Sequence, residues 1–453
     1  MKSRAKIAYD ELPYPTVIVV GGGFAGLEVV RGLAGQPYKV VLLDRQNHHC
    51  FQPLLYQVAT ASLSADSIAH PFRRTIGPMH NVAYRMADVQ RVDPERKVVE
   101  TNIGDLSYDY LILALGSTTN FFGNRQMERT AMQLKSISQA LDIRSDVLQD
   151  LEAAISASTR DERLRALNFV IVGAGPTGVE LAGALAEIRR TVVAREYREM
   201  ESDMMQIVLI DSNDRVLKNF SEKSSTNAQH YLEDLGVDVR LGDRVVGGDD
   251  ERIQLSDGGM LETNTVIWAA GVKGAIIPGL EADHNEQASR YEVDRTNALK
   301  HHPEIFVLGD CALMTDVEEW PRGHPQVATV AIQQGQLLVK NFVAKASGRP
   351  MESFTYRDKG SMAVIGRRKA VVDIGKYSWR HVRMAAVDVR PCDPTRELPQ
   401  SHDGPLQLGV EILELEEYDP PHHSPIHPAE YVGIKAVRRT RVMPFPCSIL
   451  LGR

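Results

Sequence analysis

The chain has 453 residues, 43% hydrophobic and 25% charged, a length that suggests two to three domains and a composition ordinary for a soluble globular protein. Its formal charge of -7, with no basic block of five or more, argues against a nucleic-acid partner. Four scattered cysteines, Cys50, Cys311, Cys392 and Cys447, form no C-x-x-C pair, which fits a reducing cytoplasm and argues against a redox-active disulfide.

Met1–Glu11 is charged and lacks the apolar core of a signal peptide, and no apolar run reaches about 18 residues, so no span of a membrane is expected. Thr16–Val20 (TVIVV) reads as a buried parallel strand, a short β-branched run closed by glycine. Gly21-Gly22-Gly23-Phe24-Ala25-Gly26 follows and opens a helix from Ala25 to about Leu33; Val40–Leu43 is the next strand, ending at Asp44. This is a βαβ unit. Gly21 permits the tight turn, Gly23 lets the backbone approach a pyrophosphate, and Gly26 lets helix and strand pack closely, with the helix N-terminus facing the anion. Asp44 stands where an acid accepts hydrogen bonds from a ribose. A lone G-x-G-x-x-G also fits a glycine turn of any α/β protein; strand, loop, helix and spaced acid together point to a dinucleotide.

Adjacent His48 and His49 point different ways and have no ligand cluster, so a polar loop is expected there rather than a proton relay or metal site, and no metal is expected anywhere. Phe51–Ala69 mixes loop and helix. Tyr108–Leu115 is a buried strand stopped by Gly116, and Ile137–Ala157 has helical spacing.

The pattern then repeats. Phe169–Val172 is a strand, Gly173-Ala174-Gly175-Pro176-Thr177-Gly178 the loop, Gly178–Glu187 a helix, and Gln206–Ile210 a strand ending at Asp211. An acid at Asp211 disfavours a 2′-phosphate, so NADH is preferred over NADPH. Two such loops imply two dinucleotides held at once, and electron transfer between them is the economical reason. Thr265–Ala270 is a strand running into Gly271, with Trp268 expected to pack beneath this half rather than stack on a cofactor. Ile305–Leu308 runs into Gly309-Asp310, with a helix expected to start at Cys311; Asp310 fits either an N-cap or a holder of a ribityl chain. Val327–Ala346 looks helical.

Thr16–Glu28, Tyr108–Gly116, Val266–Gly271 and Ile305–Asp310 together resemble the two-dinucleotide-binding-domain flavoproteins. Within that group the chain resembles the type II NADH dehydrogenases, which are NADH:quinone oxidoreductases. The segments that carry the likeness are Asn47–Thr60 (NHHCFQPLLYQVAT), Gly175–Gly183 (GPTGVELAG), Ile267–Val272 (IWAAGV), Pro325–Gly335 (PQVATVAIQQG) and Tyr356–Gly366 (YRDKGSMAVIG). It covers residues 14 to 377, and the missing C-x-x-C separates the chain from disulfide-reductase relatives.

The resemblance implies an α/β fold of two Rossmann-like domains, the second inserted in the first: 1–125 with 292–345 for FAD, 126–291 for NADH, and 346–377 as a C-terminal family segment. It assigns Gly21, Gly22, Gly23, Phe24, Ala25, Gly26, Gln52 and Gly116 to FAD, with Asp44 on the adenosine ribose and Asp310 on the ribityl. It assigns Gly173, Gly175, Pro176, Thr177, Gly178, Asp211, Ala270 and Gly271 to NADH. Glu180 falls near the nicotinamide and flavin ring, though a helix carboxylate stabilised by the N-terminal dipole is the alternative. Ala328–Gln334 lines the quinone pocket, with Gln333 and Gln334 as candidate catalytic partners; a solvated helix face would explain one of them. Thr329 stands where some members carry the larger Gln. A quinone is the implied acceptor and a homodimer the implied assembly, cytoplasmic and peripheral on the inner face of the membrane. Two other readings stay open: transfer to a different soluble acceptor, and a low-turnover flavin redox sensor or interaction protein.

Residues 378–453 depart from the family, whose members end in amphipathic, Trp- and Arg-rich membrane helices; Ala386–Leu415 has no apolar face. Shifting the codons by one base permits Trp across Val387-Asp388, Met across Asp388-Val389, and an apolar Trp/Arg-rich run onward. The expectation is a disordered or frameshifted tail replacing the anchor, leaving this form soluble, with a genuine divergent tail as the alternative. The coding DNA over codons 370–420 decides between them.

Overall fold

The structure, a computed structural model, describes residues 12–375, 377–379, 382–389 and 408–415. Two five-stranded sheets form its frame, and every pairing in both is parallel. The first runs Ile305–Val307, Tyr110–Leu113, Thr16–Val20, Lys39–Asp44, Val82–Met86. The second runs Met132–Gln133, Thr265–Trp268, Asn168–Val172, Gln206–Asp211, Asp238–Leu241. The central strands TVIVV and NFVIV share one burial pattern, partly exposed only at the first residue. That is what near-continuous β-branched runs achieve when helices cover both faces of a parallel sheet.

The second sheet is built wholly from residues lying between Tyr110–Leu113 and Ile305–Val307, which are neighbours in the first. The chain leaves and returns through one antiparallel pair, Ser117–Thr119 against Val272–Gly274. This is the connectivity of an insertion, which the family resemblance implied.

Helix Phe24–Gly32 lies on helix Ala328–Ala346. The approach is so close that a Cβ at Gly32 would come 2.5 Å from Val339, and one at Gly335 would come 3.0 Å from the Ala25 carbonyl. The short helix Leu55–Ala59 buries Leu55, Val58 and Ala59 against Ile143, Val147 and Leu181 of the inserted half. Each such leucine, isoleucine or valine contributes roughly 1.5–3 kcal/mol, so this one turn-and-helix welds the halves. An antiparallel sheet of Ser361–Ile365, Lys369–Ile374 and Tyr377–Trp379 closes over helix Pro176–Ile188. A Cβ at Gly183 would come 2.6 Å from the Gly366 amide nitrogen there.

Two expectations need correction. No long helix starts at Cys311: Gly309–Cys311 is a single tight turn, and Ala312–Leu313 pairs in parallel with Tyr291–Glu292. That pairing, with Pro321 and Pro325 beyond it, defers the helix to Ala328. Asp310 is therefore neither an N-cap nor a residue at a long helix's positive end. His48–Cys50 is also not a loop but a strand, pairing antiparallel with Ala69–Pro71. The expectation of a disordered or frameshifted tail lies outside the described residues, apart from Val382–Val389 and Leu408–Leu415, which pair antiparallel.

Candidate active site

The two glycine loops are near-copies in three dimensions. The Gly21 amide donates to the Leu43 carbonyl at 2.8 Å and the Gly173 amide to that of Ile210 at 2.7 Å. Their φ values are +98° and +109°, in the left-handed region where glycine is at home. A Cβ would also strike the carbonyl oxygen of Ala114 at Gly21 (2.3 Å) or of Ala269 at Gly173 (2.4 Å). Gly26 and Gly178 each leave room for a carbonyl, that of Gly21 and of Gly173, only 1.8 Å from where a Cβ would lie. Gly23 and Gly175 cap their helices without a side-chain hydrogen bond and face open space. The first helical amides are thus free to meet a phosphate. Pro176, at the first position of its helix, has no amide to leave unsatisfied there.

The spaced acids close the cradles. Asp44 accepts from the Gly22 amide at 2.6 Å and the Gln46 amide at 2.7 Å. Burial pushes its carboxyl up while those amides pull the other way. Asp211 accepts from the Ala174 amide at 2.5 Å and from Asn213. Each carboxylate sits at the tip of its strand beside its loop, where a ribose following the pyrophosphate would fall. The residues present fit a dinucleotide at both loops.

The loops differ in what stands behind them. A Cβ at Gly22 would lie 2.1 Å from the Phe72 ring, so Gly22 is demanded by packing; its counterpart is Ala174. Buried His49 donates from Nδ1 to the Gly22 carbonyl at 2.9 Å and meets Phe24 edge-on at 5.2 Å. Burial lowers its pKa to about 4, so it is a neutral brace under the first loop.

Between the cradles, Asp310 accepts from the Ser117 hydroxyl at 2.6 Å, and Lys135 donates to the same hydroxyl at 3.0 Å. Gln52 lies alongside, its amide 3.5 Å from the Lys135 ammonium and backbone carbonyl. The Asp310 carbonyl accepts from Gln326, just before the long helix, and the Gly309 amide donates to Gln334 within it. Gln52 and Asp310 are thus brought together, and Ser117 and Lys135, which sequence reasoning missed, complete the group. Lys135 precedes Ser136, the N-cap of helix Ile137–Ser156; nothing in its local pattern marks it.

Glu180 lies on the first turns of helix Pro176–Ile188, between Tyr56 and the Ser361–Ile365 strand. It accepts one long hydrogen bond, from the Val364 amide at 3.4 Å. Desolvation pushes its carboxyl up to about 8, so it carries a proton at neutral pH. Burial also raises the Tyr56 phenol, helped at alkaline pH by the Glu180 carboxylate once it has ionised.

On the other side, Thr329 is buried and its hydroxyl pairs with the Tyr356 phenol at 2.9 Å. Gln334 is buried and spends its carbonyl oxygen on Gly309. Gln333 forms two 3.0 Å bonds with the backbone of Arg357. Both glutamines thus fasten neighbouring backbone. Gly116 (φ +69°) accepts from the Ala275 amide; the strand flanking the second loop stops at Trp268, short of the expected Ala270, so Ala270 and Gly271 lie just beyond its end. Trp268 packs on Phe121 and donates to the Asn120 carbonyl at 2.8 Å, a core role. Burial holds the Cys50 thiol at about 11 and the Cys311 thiol at about 12; neither is a thiolate nucleophile at neutral pH. Among the described residues no helix is long and apolar enough to cross a membrane.

Comparison with known proteins bears on the same span. The family model described as pyridine nucleotide-disulphide oxidoreductase matches residues 15–335. The chain is 34% identical over 376 residues to the type II NADH:quinone oxidoreductase NdhA of Mycobacterium tuberculosis, covering 80% of this chain and 79% of that one. It is 35% identical over 382 residues to Ndh of the same organism, covering 80% of each. It is 27% identical to a type II NADH:quinone oxidoreductase of Staphylococcus aureus, covering 78% of this chain and 88% of that one. Among solved structures, its fold is similar to NDH2 from Plasmodium falciparum in complex with NADH, with a TM-score of 0.75 at 20% identity, covering 81% and 91%.

Proposed function

The chain belongs to the type II NADH:quinone oxidoreductases, within the pyridine nucleotide-disulphide oxidoreductase family, and from that premise we propose that its first glycine loop holds FAD and its second holds NADH. The enzyme is a flavoprotein that passes electrons from NADH to a quinone. The observation that carries the assignment of sites is the duplicated cradle, with Asp310, Ser117, Lys135 and Gln52 linked by hydrogen bonds. In this reading residues 1–125 with 292–345 form the FAD half and 126–291 the NADH half.

FAD, when bound, supplies the two-electron chemistry, and the chain supplies binding, orientation and electrostatics. The open amides after Gly23 and Gly175 bind the two pyrophosphates. Asp44 and Asp211 accept the ribose hydroxyls, and the Asp211 carboxylate repels a 2′-phosphate, which favours NADH over NADPH. Asp310, oriented by Ser117, holds the ribityl chain. Glu180 takes its Val364 bond on Oε1 and holds its proton on Oε2, which leaves a neutral donor beside the nicotinamide. An ionised carboxylate there would oppose the negative charge that hydride transfer brings. NADH, quinone and one proton give NAD+ and quinol, so one proton comes from solvent. At the quinone end the Thr329 and Tyr356 hydroxyls offer the polar pair, and Gln333 and Gln334 keep the pocket wall fixed. Because a quinone is a lipid, its pocket opens toward a membrane surface at the cytoplasmic face. Assembly as a homodimer belongs to the same proposal.

The test is steady-state NADH oxidation with and without a soluble quinone analogue. Quinone should stimulate turnover strongly and NADPH should replace NADH poorly. Turnover unmoved by quinone, or equal with both nucleotides, would count against the site assignments.

A further inference from the structure

We propose that Lys135 is the electrostatic residue of the flavin site: its ammonium, carried across from the inserted half, favours the reduced and more negative form of the cofactor that Gln52 and Asp310 would hold. The proposal rests on the FAD reading of the first loop.

Lys135 Nζ reaches the Ser117 hydroxyl at 3.0 Å, and that hydroxyl in turn donates to Asp310 at 2.6 Å. The Asp310 carboxylate is thus met through Ser117. Among the described residues a second donor finds only the distant Gln52 Oε1 at 3.5 Å. An ammonium has three donors and no acceptor, so these partners leave it short of hydrogen bonds inside the cleft. Burial accordingly pulls its pKa down, opposed by the charge of Asp310. The other charged or titratable groups bearing on this spot are Arg290, itself drawn to Asp310, and the neutral Cys50 and Cys311 thiols.

A desolvated ammonium with incomplete pairing is a poor device for holding a fold together, because its charge is costly to bury. It is a good device for answering a charge that appears there. Hydride transfer delivers two electrons and one proton to the cofactor and so adds one negative charge. In a site of low dielectric a fixed cation stabilises that charge far more than water would. Ser117 keeps the ammonium from collapsing onto Asp310, so its charge remains available to the cofactor.

The test is a dye-equilibrated redox titration of the flavin bound to the purified holoenzyme and its variants. Lys135→Met and Lys135→Gln should each weaken the preference for the reduced cofactor at least tenfold, a fall of about 30 mV in a two-electron midpoint potential. Lys135→Arg should stay within threefold of the parent. Should the Met variant fold poorly, the Gln variant, which can keep the Ser117 bond, gives the same reading. An unchanged potential in a neutral variant that retains flavin, even with lowered thermal stability, would mean a merely structural lysine and overturn the proposal. A parent protein that takes up no flavin would overturn the FAD reading first, and this proposal with it.

Discussion

Glu180 shows what a single position can do. Its carboxyl keeps its proton to about pH 8 in the folded chain but loses it near the ordinary 4.5 once unfolded. Between those values the folded chain binds the extra proton, so its stability is fully present below pH 4.5 and is lost as pH rises toward 8. Glu180→Gln removes the titrating group and keeps the shape. In urea melts at pH 5, 7 and 9 the variant should gain on the parent as pH rises, and parallel curves would contradict the raised carboxyl. Glutamine also offers a neutral donor, so the same variant should oxidise NADH about as fast as the parent at pH 6 and faster at pH 9, where the parent carboxyl has ionised; a variant slowed more at pH 6 than at pH 9 would contradict that role. Phe122 is a second such position. It is 68% exposed with φ +52°, a backbone region that costs a bulky residue about 1–2 kcal/mol. Its ring gains little burial in return. Phe122→Gly should therefore leave stability unchanged or raise it by up to about 1 kcal/mol, read from the urea midpoint; a clear loss would mean the ring packs more than its exposure shows.

At the scale of elements, the loop-to-helix turns carry a sharper test. A Cβ at Gly26 or at Gly178 has nowhere to go but into a backbone carbonyl 1.8 Å away, so alanine must push the helix off its strand, an overpacking cost of about 1–3 kcal/mol. Gly26→Ala should strip the flavin and leave NAD+ binding to the second half measurable by calorimetry. Gly178→Ala should do the reverse, keeping the flavin spectrum and losing NADH turnover. If the two losses swap, the sites are assigned the wrong way round. These turns were legible in the sequence because their physics is local. Thr16–Val20 and Asn168–Val172 announce buried strands by apolar β-branched runs, and glycine spacing announces the phosphate loop and the helix it opens. Ladders such as Val245–Gly248 with Arg252–Leu255 were not legible, since short, half-exposed pairs depend on partners rather than on their own pattern. The helix expected at Cys311 failed for the same reason: the Tyr291–Glu292 strand claims Ala312–Leu313. His49 read as loop because nothing nearby in sequence reveals the Gly22 carbonyl that it braces.

At the scale of the molecule, one layout of strand, glycine loop, helix and acid-tipped strand is built twice, over Thr16–Asp44 and over Asn168–Asp211. Leu55–Ala59 and the Ser117–Thr119 pair with Val272–Gly274 join the two halves, and Gln52, Lys135, Ser117 and Asp310, remote in sequence, are linked by hydrogen bonds across that junction. The loops and their acids were readable from spacing; this linked group was not, because no spacing encodes a contact across an inserted domain. The most direct test is an anaerobic titration of the flavin-loaded protein with NADH, followed by a soluble quinone. The account predicts that one equivalent of NADH bleaches the flavin and that one equivalent of quinone restores it, with NAD+ and quinol formed in equal amounts. Bleaching that quinone cannot reverse, or no bleaching at all, would contradict it.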